Sequence, residues 1–373
     1  MFSLAMLAAL AMGSGEAPAA MPHAEASQTL PGTSAASAAL HTPVEVMALP
    51  EGLREQFRAY LHNRSQLRRV RDLGNLAEFL FRPDGLGMRY RENATYTVSE
   101  AWQTREANCL SFTLLTLALA REVGLQAYGQ EISDTVAWRQ EGKTVYRSNH
   151  VNAGIRINER RFSIDVASDQ VLARDPPRRI SDARLLAHYY NNRAVELMEL
   201  GQLLPAMAHA EQSLRLQPEY ASTWNNRGVL QLRFGDIAAA QRDYQRALEL
   251  DPEHTGALFN LAAHFRRSGN AASAIVLERR FSSIQQNDPF HHFVRALELE
   301  QQGELREAAR HYRRAIKLHR QEHRFYFGLA RVYMALDQPR RAGRALLAAR
   351  ELSHGDSRDR YQAKLDFLRR SGV

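Results

Sequence analysis

The sequence predicts an α+β domain followed by an all-α stack of helical hairpins. Two observations divide the chain this way. Gly201, Gly235, Gly269 and Gly303 recur at intervals of 34 residues, which marks an internal repeat. Residues 45–180 carry no such period. Their apolar positions follow helical spacing first and then, from about residue 125, a spacing of two. Ahead of both lies a segment up to about residue 45, rich in Ala, Ser, Pro, Thr and Gly, which reads as a flexible leader.

That leader opens with an apolar run from Phe2 to Met12, followed by small residues that include Ala17-Pro18-Ala19. The run and the small residues have the layout of a secretory signal peptide. No Lys or Arg precedes Arg54, so the usual basic start is missing. The expectation is export to the periplasm or beyond. The alternative is an Ala-rich tail on a cytoplasmic protein. No apolar run reaches the ~20 residues a spanning helix needs, so no integral membrane segment is expected.

The chain carries a net charge of +8, and only three of its 49 basic residues are lysines (Lys143, Lys317 and Lys364). This arginine bias reads as coding composition. A basic chain favours acidic partners through long-range attraction. No stretch interleaves aromatic and basic residues, so a nucleic-acid partner is not expected. The single cysteine, Cys109, excludes an intramolecular disulfide and a thiolate zinc cage. It is either a small buried hydrophobe or a reactive thiol.

Taken in order, the first domain (46–180) begins with helical patterns over 51–62 and 65–81. A loop with Pro83, Gly85 and Gly87 follows, then a short helix over 98–105. Asn108 is a good helix N-cap. It places Cys109 on the first turn of an apolar helix that runs to about Gly124. A thiol at that positive end has a lowered pKa. Strands are expected over 125–132, 146–157 and 161–166, the last two joined by a tight turn at Asn158-Glu159-Arg160. That turn brings His150 and Asp165 within a residue or two of direct opposition on adjacent strands.

The words Asn108-Cys109-Leu110-Ser111-Phe112, Asn149-His150-Val151-Asn152 and Ile164-Asp165-Val166, in this order and spacing, resemble the transglutaminase-like superfamily over about residues 90–170. Ala107 departs from the glycine many relatives carry there. The resemblance implies a papain-related fold in which Cys109 attacks a carbonyl, His150 moves protons and Asp165 orients the imidazole. The backbone N–H of Cys109, with Trp102 or Gln103, would stabilise the oxyanion. No metal or other cofactor is expected.

In the second half, residues 221–254 carry Trp224, Gly228, Ala240, Tyr244, Ala247 and Pro252, the pattern of a tetratricopeptide repeat. Small residues sit where two helices cross closely, aromatics fill the gaps, and proline stops the second helix. The register extends to Ala194, Ala206 and Pro218, to Ala262 and Ala274, to Ala296, Ala308, Tyr312 and Ala315, and to Ala330, Ala342 and Ala349. Five repeats therefore span 187–356, with a polar capping helix in 357–373. The third is irregular: Glu278 and Phe281 replace the usual aromatic and alanine, and proline is displaced to Pro289. Such stacks form a superhelix whose groove holds a peptide or protein client. Asn192, Asn226 and Asn260 recur at one position of the first helix. They form either a peptide-binding ladder or bonds within the array. His291 and His292 lack a partner pattern and read as surface or packing residues.

These readings predict a cysteine-dependent amide hydrolase or acyltransferase acting on a client recruited by the repeats. The alternative is a non-catalytic interaction scaffold that keeps the transglutaminase-like module. Oligomeric state is not encoded in any motif.

Overall fold

The computed structural model of the chain describes residues 38–62, 69–138, 145–166, 171–173, 176–353 and 355–370. The chain divides into two compact units, Met1–Thr135 with Tyr146–His264, and Val136–Val145 with Phe265–Val373. The division between them falls between His264 and Phe265.

In the first unit, helix α1 (Pro43–Met47) begins with a reciprocal cap. The Thr42 hydroxyl accepts from the Glu45 amide, and the Glu45 carboxylate accepts from the Thr42 amide at 2.7 Å. Val46 is fully buried, so the chain is already ordered where the leader was expected to run to residue 45. The expected signal segment lies outside the described residues. Helices α2 (Glu51–His62) and α3 (Arg69–Phe81) bury Leu53, Phe57, Leu76, Phe79 and Leu80. Strand β1 (Arg89–Tyr90) pairs in parallel with β2 (Glu106–Ala107) around α4 (Val98–Thr104).

Next comes α5 (Cys109–Glu122), apolar on most faces, with Leu110, Leu114, Leu115, Leu117 and Leu119 fully buried. Each such side chain contributes ~1.5–3 kcal/mol by burial, which makes α5 the centre of the core. A five-stranded sheet covers it, in the order β5-β4-β3-β6 with β7 also paired to β3. Its strands are β3 (Gln126–Trp138), β4 (Val145–Ile157), β5 (Arg160–Ile164), β6 (Val171–Ala173) and β7 (Arg178–Ile180). Asn158 and Glu159 both have positive φ, 45° and 66°, and join β4 to β5 in a two-residue turn. This fixes the antiparallel register from Ile157↔Arg160 to Ala153↔Ile164.

The helical hairpins of the first unit are α6 (Asp182–Glu199) with α7 (Leu203–Leu216), and α8 (Ala221–Arg233) with α9 (Ile237–Leu250). Helix α10 (Thr255–Arg267) follows. Helix α6 serves two cores: Leu185, Leu186, Tyr189 and Tyr190 pack with α5 and the sheet, while Ala194, Leu197 and Met198 pack with α7 and Leu230. The second unit holds α11 (Ala271–Asn287), α12 (Pro289–Gln301), α13 (Leu305–Leu318), α14 (His323–Ala335), α15 (Pro339–Leu352) and α16 (Gly355–Arg370).

The period is explained residue by residue. Gly201, Gly235, Gly269 and Gly303 all lie at φ between 74° and 86°, the left-handed turn that ends a helix and that glycine adopts without strain. Ala206, Ala240, Ala274, Ala308 and Ala342, again 34 apart, are fully buried. A Cβ on Gly228 would lie 2.6 Å from the Tyr244 ring, and one on Gly328 would lie 2.4 Å from the Tyr312 ring. In the irregular third hairpin, Glu278 sits on the surface in a paired contact with Arg266 at 2.6 Å, and Leu277 is the buried residue.

Candidate active site

The structure brings Cys109, His150 and Asp165 together, each placed by a separate element. Asn108 is the N-cap of α5: its side-chain oxygen accepts from the Ser111 amide at 2.9 Å, which sets Cys109 on the first helical turn. His150 lies on β4. Asp165 follows directly on β5, and continuing the register by one residue sets it opposite Asn152. His150, two residues before Asn152, shares that face.

The contacts follow from this placement. His150 Nε2 lies 2.7 Å from Asp165 Oδ2, and the His150 side chain is also hydrogen bonded to the Cys109 thiol. The backbone N–H of Val151 donates to the Cys109 sulfur. Thr113 ties the two elements together, its hydroxyl 2.7 Å from the Cys109 carbonyl and 3.3 Å from the Val151 carbonyl. His150 is buried, while Cys109 and Asp165 are half-buried.

Charge on these groups is opposed by burial, yet mutual attraction wins. Burial pushes the Cys109 thiol up, but the charge and hydrogen bond of His150 and the Val151 amide bring it below its ordinary value. Burial pushes His150 down, but the Cys109 charge and the Asp165 carboxylate raise it to about 10. The arrangement favours a thiolate–imidazolium pair.

Sequence reasoning missed Asn152. Its Nδ2 donates to Asp165 Oδ2 at 3.2 Å, the same oxygen that meets His150, while its buried Oδ1 has no hydrogen-bond partner. The available signal was its place two residues after His150 on a strand. Also missed was the support behind Asn108. Its Nδ2 donates to the Thr95 hydroxyl at 2.8 Å, and the Thr95 amide donates to Glu196 on α6 at 3.3 Å.

Other expected site residues lie in different settings. The Trp102 indole N–H, its single donor, goes to Gln56 at 3.1 Å, and Trp102 packs against the core. That donor is spent, so Trp102 cannot serve an oxyanion in this arrangement. Gln103 is exposed on α4. Asn192 is buried, with no partner at its Oδ1. Asn226 and Asn260 are half-buried, and their Nδ2 groups donate at 2.9 Å to Asn191 and Asn225 of the preceding first helix. Asn226 and Asn260 thus form amide clasps between neighbouring repeats. His292 accepts or donates at His311 Nδ1, 3.1 Å away, and lies 3.0 Å from the Gln286 carbonyl.

A buried polar cluster joins the sheet to the first hairpins. Arg184 on α6 meets both oxygens of Glu131 on β3, at 3.3 and 3.1 Å, and stacks 3.8 Å over the Tyr220 ring. His188 Nε2 lies 3.2 Å from Glu131, and its Nδ1 lies 2.7 Å from the Tyr220 hydroxyl. Burial opposes the Glu131 charge, but His188 and Arg184 hold its pKa down to about 2.

Residues 187–220, 221–254 and 293–357 match the tetratricopeptide repeat family. No curated protein matches the chain. Among solved structures, the chain is similar to YrrB, a TPR protein with an unusual peptide-binding site. The two are 18% identical, with 48% of this chain and 92% of that one covered at a TM-score of 0.26. A thermophilic TPR protein from Thermus thermophilus is 19% identical, covering 48% and 98% at 0.26. MamA from Desulfovibrio magneticus RS-1 is 17% identical, covering 44% and 94% at 0.25. The C-terminal half of the chain therefore contains tetratricopeptide repeats, a module of protein–protein interaction.

Proposed function

We propose that the N-terminal domain is a transglutaminase-like cysteine hydrolase or acyltransferase, and that the repeats bring it a peptide or protein client. The observation that carries this reading is the 2.7 Å His150–Asp165 contact behind an imidazole bonded to Cys109 at a helix N-terminus. The Cys109 thiolate attacks an amide carbonyl, forming a C–S bond. The first backbone N–H groups of α5, which have no acceptor within the helix, face the developing oxyanion. As the C–N bond breaks, the proton on His150 passes to the leaving amine. Water or a second amine then attacks the thioester, gives its proton to His150 and regenerates the thiolate. Asp165 keeps the imidazole oriented throughout.

On the client side, recruitment through Asn192, Asn226 and Asn260 requires a peptide backbone to share or displace the amide clasps between repeats. The leader motif supports an exported, periplasmic setting. A mature N-terminus near Ala20 on protein from the native host would accord with this, and an intact Met1 on cytoplasmic protein would oppose it.

An acyl-based, thiol-directed covalent probe tests the enzyme reading. Labelling should occur at Cys109 and fall at least about 100-fold in His150→Ala, as loss of a general base requires. Equal labelling in both proteins would leave only the scaffold reading.

A further inference from the structure

Charge is distributed unevenly along this chain. Residues 265–373 hold 22 basic and 12 acidic side chains, whereas residues 1–264 hold 27 and 29. The excess positive charge therefore belongs to the C-terminal part. Within it, α13 places Arg306, Arg310, Arg313 and Lys317 at i, i+4, i+7 and i+11, all exposed. Those positions lie on one helical face over ~16 Å, and the opposite face buries Ala308, Ala309, Tyr312 and Ala315.

Few acidic groups cover this stripe. Glu307 pairs with Arg310, and the Arg313 Nε donates to the Ala309 carbonyl of its own helix. On α15, Arg340, Arg341 and Arg344 are exposed, and on α11, Arg279 and Arg280. These three are the second helices of successive hairpins. Two of them also expose aliphatic side chains: Ile275 and Val276 on α11, and Leu347 on α15.

We propose that the second helices α11, α13 and α15 dock on an anionic lipid surface. Guanidinium groups pair with phosphate in bidentate fashion, and each cation near such a surface adds attraction. The aliphatic side chains suit the boundary layer beneath the headgroups. A single-stranded nucleic acid would instead call for aromatic stacking platforms. The large apolar residues exposed among the described residues beyond 264 are Ile275, Val276, Met334 and Leu347, all aliphatic. This inference stands apart from the triad and holds whether or not Cys109 is catalytic.

The test is co-sedimentation of the full chain with two kinds of vesicle, phosphatidylcholine alone and phosphatidylcholine mixed with phosphatidylglycerol. Binding should need the anionic lipid and weaken as salt rises. Replacing Arg306, Arg313 and Lys317 together by Gln should weaken it on the order of 100-fold, from about fivefold per cation. Arg306→Lys with Arg313→Lys should retain it. Val276→Ser with Leu347→Ser should weaken binding several-fold while leaving the salt dependence unchanged. Circular dichroism on each variant keeps unfolding apart from lost contact. Equal sedimentation with neutral vesicles, an unaffected Gln variant, or duplex DNA that strips the protein from vesicles would overturn the proposal.

Discussion

Asp165 has one oxygen that meets two donors, His150 Nε2 and Asn152 Nδ2. Asn152 therefore restrains the carboxylate that restrains the imidazole. If Asn152 acts by holding Asp165, Asn152→Ala should lower kcat about tenfold with KM nearly unchanged. A matching fall in thermal stability with kcat intact would make Asn152 a packing residue only. The charged pair also sets a pH window for stability. His150 is raised from 6.5 to about 10, so its contribution is whole below pH 6.5 and is lost as pH rises through about 10. Cys109 is lowered from 9.0, so its contribution is whole above pH 9 and is lost as pH falls through the folded value. The Tm gap between wild type and His150→Ala should narrow as pH rises through about 10, where the imidazole loses its proton. A gap constant across pH would place no ion pair there.

At the scale of elements, close helix approach was legible and side-chain commitment was not. The recurring glycines and alanines predicted tight hairpins, and Gly228 faces the Tyr244 ring with no room for a Cβ. Gly228→Ala should cost ~1–3 kcal/mol by overpacking, measured by denaturant unfolding; a neutral change would mean the ring can move aside. Asn158-Glu159 was legible as a turn, and that turn sets the register that gathers the triad. The clasps Asn226–Asn191 and Asn260–Asn225 were not legible, because they join amides 35 residues apart through packing. Replacing Asn192, Asn226 and Asn260 by Ala should cost stability if these clasps are glue. If instead a client uses them, its binding should fall roughly 10- to 1000-fold with the fold retained.

Across the whole molecule, the sequence separated two parts by their periods, and the structure joins the first hairpins to the core built on α5. Period alone could not reveal this, since α6 keeps the repeat spacing while burying Leu185, Tyr189 and Tyr190 in the other core. The polar counterpart is Glu131, held by Arg184 and His188. Glu131→Ala should destabilise the first unit by ~3 kcal/mol, since it strands the half-buried Arg184. With the Glu131 pKa down at about 2 from 4.5, that contribution is whole above pH 4.5 and fades as pH falls through 2. Trp102 shows the opposite: its position before the cysteine suggests an oxyanion donor, but the half-buried indole packs against the core and its N–H bonds to Gln56.

A Cys109 held as a thiolate by His150 must react faster with alkylating agents than an ordinary thiol. Cys109 is the sole cysteine of the chain, so alkylation by iodoacetamide reports on it alone. Its rate should be followed against pH in wild type and His150→Ala. The wild-type rate should reach its plateau at a lower pH than a thiol of ordinary pKa 9.0 would give. In His150→Ala the rate should instead climb toward an ordinary thiol midpoint or above it, because burial is then unopposed. Identical profiles in the two proteins, both rising near pH 9, would contradict a thiolate held by His150.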